Sequence, residues 1–238
     1  MPSDYNRDMA TWLSPTAQSR FRRLAADLRR VFGPRFVSLV AYGPHRSAVF
    51  AETVEPGDLD AMGALVDTWH RDHLATPLVM TVDELSRSLD AFPLEFQAML
   101  DRHEVIDGTD PLTAIRIDAA DLRRACEVQA KSHLVHLRQG WLEAHGHPQE
   151  LAHLAARSAG PFRALLIQVA RLSGETAETT DELAAFAERT MHLPAPLGRD
   201  VLAADEGADA SARVATRLAE YLTAAERLWT HVDGWSPR

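Results

Sequence analysis

The apolar residues of this chain change their spacing part-way along, and that change limits what the chain can fold into. Through roughly its first 113 residues, short runs of β-forming residues alternate with stretches whose apolar positions recur every three or four residues. Beyond them only the helical spacing remains. Such a pattern predicts an α+β fold: a small mixed sheet with packed helices, followed by an all-α body of four to five helices. The division falls near residues 114–118, giving one domain over 14–115 and a second over 116–235.

In the first domain, Ser14-Pro15 is a helix start, and Phe21, Leu24, Leu28, Val31 and Phe32 form one stripe that Gly33-Pro34 closes. The run Phe36 to Tyr42 is a buried strand that stops at Gly43-Pro44. Residues 48–54 read as a second strand, 77–82 as a third and 103–107 as a fourth. Between them, Leu59, Met62, Leu65, Val66 and Trp69 fit one face of a helix beginning at Asp58, and 83–89 and 92–100 are short helices.

The second domain opens at the cap-like Asp118, with Leu122, Cys126, Leu134, Leu137 and Trp141 at helical spacing. Another long helix spans 148–172, where Pro161 should disturb the backbone near Ser158. Thr179-Thr-Asp-Glu182 is a capping box, Pro194-Ala-Pro196 a break, and 209–232 the last helix.

No apolar run approaches the roughly 20 residues of a membrane span, and residues 1–8 lack the apolar stretch of a signal peptide. The single cysteine, Cys126, offers neither a disulfide nor a cysteine metal site, so the expected compartment is a reducing cytoplasm. A net charge of −9 argues against general nucleic-acid binding, which rests on many Lys and Arg contacts to phosphate. The charge is uneven, however: seven arginines between Arg20 and Arg46 face the lone Asp27. They read either as a solvated helix face or as a local anion-attracting surface.

The order helix, strand, Val40-Ala-Tyr-Gly-Pro44, strand resembles the minimal nucleotidyltransferase fold. The wider chain, over about residues 20–235, is similar to uncharacterised bacterial proteins in which such a domain precedes a helical bundle. The stretches 77–85, 92–96 and 134–143 carry that likeness. The resemblance implies a triphosphate held by backbone amides after a Gly-Ser turn, with Mg²⁺ on a strand-borne pair of carboxylates. Gly43 matches the glycine, but Pro44 stands where the serine belongs and lacks both a hydroxyl and a backbone N–H. Ala48-Val-Phe-Ala51 has no acid where the pair is expected.

Asp58-Leu59-Asp60 follows Pro44 after thirteen intervening residues and fits the family's spacing, yet Glu55-Pro-Gly-Asp58 reads as a turn and helix cap. The expectation is therefore a non-catalytic relative with no cofactor and no metal, serving as a binding, regulatory or assembly module. Gly43, His45, Arg46 and Ser47 are its candidate ligand-binding residues, and a nucleotide or phosphate-bearing small molecule its ligand. The alternative is an active Mg²⁺-dependent transferase acting through Asp58 and Asp60. The apolar faces of the helical half could also pair two copies as a homodimer. His133 and His136, three apart on one helix, lack the glutamate of a His-Glu-x-x-His zinc motif, and the serines show no His-plus-acid partners.

Overall fold

A computed structural model describes residues 12–235, and these divide between Ile117 and Asp118 into two compact units. In the first, α1 (Pro15–Phe32) begins where Ser14 accepts a hydrogen bond from the Ala17 amide, and ends where Gly33 turns to φ 56°. A short turn of 3₁₀ helix, Gly33–Arg35, leads into β1 (Phe36–Ala41), and β2 (Ser47–Ala51) returns beside it. Next come α2 (Pro56–Gly63), α3 (Val66–Arg71), β3 (Leu78–Thr81), α4 (Val82–Arg87), α5 (Pro93–Asp101) and β4 (Glu104–Gly108).

The four strands form one mixed sheet in the order β3-β2-β1-β4. β1 pairs antiparallel with both β2 and β4, and β2 pairs parallel with β3. The unbroken apolar run of β1 now has its reason: the two central strands are covered on both faces. Leu39, Ala41, Val49 and Ala51 pack with Phe21, Leu24, Leu28 and Trp69 on one side. Val40, Ala48 and Phe50 pack with Leu85, Phe96, Met99 and Leu112 on the other.

The stretch expected as one helix from Asp58 is two. α2 starts at Pro56, and the chain leaves helical pairing at Ala64–Leu65 before α3 begins. Met62 and Trp69 are buried, but Leu59 is 52% exposed, so the proposed apolar face is shorter than its spacing suggested.

The second unit holds α6 (Ala119–Glu143), α7 (Pro148–Leu172), α8 (Thr180–Met191), α9 (Ala195–Leu202), α10 (Ala208–Thr216) and α11 (Leu218–Asp233). Among the described residues there are thus six helices here rather than four to five. Two local effects account for the difference. The prolines at 194 and 196 sit at the cap and first turn of α9, where a missing N–H costs nothing, instead of only ending α8. The expected last helix is broken at Arg217, whose backbone (φ −120°, ψ 21°) leaves the helical region. α6 packs on α7 and α11, and α7 packs on α10. α7 runs through Pro161 without a break. Among the described residues, no helix is long and apolar enough to cross a membrane.

Candidate functional site

The turn between β1 and β2 is closed by the Tyr42 amide, which donates to the Arg46 carbonyl at 3.1 Å. Pro44, His45 and Arg46 stand exposed, while Ser47 is buried with its hydroxyl oxygen unpartnered among the described residues. The nearest atoms to a Cβ on Gly43 would be those of the Arg46 side chain, at 3.4 Å and beyond, and its φ is not positive, so this glycine answers no backbone need.

The turn is fastened at His45, whose carbonyl accepts the Ala75 amide at 2.8 Å. That bond ties it to the segment following α3, where His73 takes a left-handed backbone (φ 59°) as the helix ends and its amide returns to the His70 carbonyl. The result is an open cleft of about 600 Å³ whose wall carries Arg20, His45, His70 and His73, with Leu74 and Ala75. His70 is oriented by the Thr76 hydroxyl, 3.1 Å from its Nε2. The wall contains no carboxylate. A guanidinium and three imidazoles around one opening are hydrogen-bond donors suited to an anion.

Of the four residues singled out from the sequence, only His45 lines this cleft. Arg46 lies along Gly43, and Ser47 faces into the fold. Arg20, His70 and His73 are the additions. No spacing rule joins them to His45, because a helix, a turn and a helix end bring them together.

No protein-family model, no curated protein and no solved structure matches this chain.

Asp58 lies in the first turn of α2. Its two oxygens take the Arg35 guanidinium at 2.7 and 2.8 Å, and one of them also accepts the Glu55 amide at 2.8 Å. The Arg35 bonds, helped by the Glu55 amide, hold its carboxyl below the usual aspartate range. Asp60 is exposed. Among the described residues, no three His, Cys, Asp or Glu side chains form a group that could hold a metal ion.

Four of the seven arginines of the arginine-rich stretch pair with acids, three of them distant in sequence. Arg23 pairs with Asp72 at 2.8 Å, Arg29 chelates Asp107, Arg30 pairs with Asp27, and Arg35 holds Asp58. In the helical unit, Arg138 pairs with Glu226 at 2.9 Å, and Cys126 is fully buried, its thiol pushed up to about 12 by desolvation. His133 is half-buried on α6. Its ring stacks on Phe162, and its Nε2 meets the hydroxyl of the fully buried Tyr221 at 2.8 Å. Burial and the neighbouring His136 lower its pKa to about 4.

Proposed function

We propose that this chain is a non-catalytic binding module, with a nucleotidyltransferase-like first unit that takes a phosphate-bearing small molecule without metal. The observation that carries this reading is the cleft wall of Arg20, His45, His70 and His73, rich in N–H donors and free of carboxylates. An enzyme of the nucleotidyltransferase kind needs acids beside the phosphates, to hold Mg²⁺ against developing charge. Here Asp58 is engaged by Arg35 and by the amide it caps, an arrangement that favours a structural duty for this acid.

The test is calorimetric titration of the full chain with ATP, ADP and inorganic phosphate, each with and without excess EDTA. Binding that is indifferent to the chelator and lost in Arg20→Gln is expected. No heat from any of the three at millimolar concentration overturns the reading. So does Mg²⁺-dependent transfer from a labelled nucleoside triphosphate that Asp60→Ala abolishes, which would establish the active alternative.

A second reading, assembly, has one observation in its favour. Val128, Val135 and Leu142 are 64%, 47% and 79% exposed and follow one another at steps of seven on α6, the period of a seam between two helices. The occupant it favours is a second copy of the chain. Light scattering after size exclusion should give a dimer that Val135→Glu converts to monomer; a wild-type monomer at all concentrations ends this reading.

A further inference from the structure

Of the four N–H-bearing side chains in the cleft wall, only Arg20 carries a fixed charge; the others are imidazoles. Arg20 is half-buried and makes no ion pair among the described residues. Its neighbours on α1 differ, since Arg23 is held by Asp72 and Arg30 by Asp27. One unanswered guanidinium therefore borders the opening. Any further positive charge in that wall has to come from His45, His70 or His73.

Hydrogen bonds fix the pieces of chain that bring these rings together. His45 stands on the β1–β2 turn, and its carbonyl receives the Ala75 amide at 2.8 Å. His70 lies in the last turn of α3, where a helix end favours a charged ring over a neutral one. The bend after α3 is closed by the His73 amide on the His70 carbonyl and the Leu74 amide on the Trp69 carbonyl, both at 2.9 Å. All three histidines are exposed, so solvent reaches them. The Thr76 hydroxyl, 3.1 Å from His70 Nε2, can donate or accept, so this bond is compatible with either state of the ring. The other charged groups of these elements are engaged or placed elsewhere. Asp72 holds Arg23, Asp27 takes Arg30 and the Trp69 N–H, and Arg71 donates to the Thr68 hydroxyl. Arg46 lies along Gly43, and Asp67 is in the first turn of α3.

We propose that anion binding in this cleft is coupled to proton uptake by its imidazoles, so that a phosphate-bearing molecule is taken up on mild acidification and released as the pH rises. The inference rests on the reading of the cleft as a phosphate site and adds its regulation. Imidazole is the side chain whose charge changes between about pH 5 and 8. A dianion within a few ångströms raises the proton affinity of such a ring about tenfold or more. By reciprocity, each proton gained strengthens the hold on the dianion by the same factor.

The probe is sulfate, which stays a dianion over a range in which phosphate itself titrates. Calorimetric titration of the full chain at constant ionic strength, between about pH 6 and about pH 8.5, should show affinity falling about tenfold or more as pH rises. Two buffers of different ionisation heat should give different binding heats at one pH, the sign of a proton taken up. The ring signals of His45, His70 and His73 should titrate at higher pH in sulfate than in chloride. His70→Gln combined with His73→Asn should hold the affinity near the wild type's alkaline value throughout. Affinity that does not change with pH, with equal heats in both buffers, overturns the coupling and leaves the phosphate reading standing. Sulfate that does not bind at all also overturns it, and if inorganic phosphate fails to bind as well, the phosphate reading falls with it. A pH dependence that the double variant retains, or unmoved ring signals, places the protons elsewhere and overturns the assignment to this cleft. The ring signals need no variant, so a folding defect in the double variant leaves the result decisive.

Discussion

Protonation of His133 should weaken the helical unit, and the structure gives the sign and size. In the folded chain the ring is largely enclosed, stacked on Phe162 with its Nε2 on the Tyr221 hydroxyl, and its pKa falls from an ordinary 6.5 to about 4. In the unfolded chain it takes up a proton on passing below 6.5. Between those values the unfolded state binds more protons than the folded one, so stability falls as pH falls through the window and is unaffected above it. At roughly 1.4 kcal/mol for each pH decade, the gap is worth at most about 3 kcal/mol, an upper bound because the ring also borders a cavity. His231, whose pKa is likewise lowered by burial, titrates alongside it, so the comparison is wild type against His133→Gln, where His231 is common to both. Urea unfolding of the two proteins at a series of pH values from neutral down to about 4 should show stabilities diverging by that amount, with the wild type losing more on acidification. A ring signal from His133 that titrates near 6.5, or parallel curves for the two proteins, refutes the reasoning.

Three further outcomes are expected. Gly108→Ala places a Cβ 2.0 Å from the Val37 carbonyl oxygen at a residue with φ 91°, where no side chain can yield, and should cost about 3 kcal/mol or more in thermal or urea unfolding. Asp58→Asn should lower the melting temperature while Asp60→Asn leaves it unchanged, because only the first carboxylate holds Arg35 and the Glu55 amide; equal effects would remove the distinction drawn between them. Cys126, buried with its thiol pushed up to about 12, should stay unreactive toward a thiol-specific disulfide reagent in the native chain and react stoichiometrically in denaturant.

What the sequence disclosed was what is decided locally. Ser14, Gly33 and the Thr179–Glu182 pair announce helix ends because a cap is a bond across two to four residues, and each sits where expected. The Phe36–Tyr42 run announces a strand covered on both faces for a similar reason. Contacts between distant positions were hidden. Arg23, Arg29 and Arg35 looked like surplus charge because their acids lie at 72, 107 and 58. Neighbours in sequence do not show these pairings, because the neutralisation is a property of the fold. His133 and Tyr221 are 88 positions apart, and nothing in the spacing of either pairs them. The sequence draws attention to the turn itself, since a motif can be seen there. Three of the four nitrogen-bearing side chains of the cleft come instead from α1, from α3 and from the left-handed residue that follows α3.

Gly140 and Pro161 both read as defects in helix interiors, and the fold accommodates each in its own way. In a helix interior glycine is disfavoured by about 1 kcal/mol and proline by about 3, relative to alanine. For Gly140 the compensation is visible: the missing Cβ makes room for Leu154 and brings α6 and α7 together. The proline leaves the Arg157 carbonyl without an N–H partner on α7, and because Arg157 and Pro161 are exposed water takes that place. Pro161→Ala, which restores the bond, should therefore stabilise the chain in urea unfolding, and a destabilised variant would mean that the proline serves the fold.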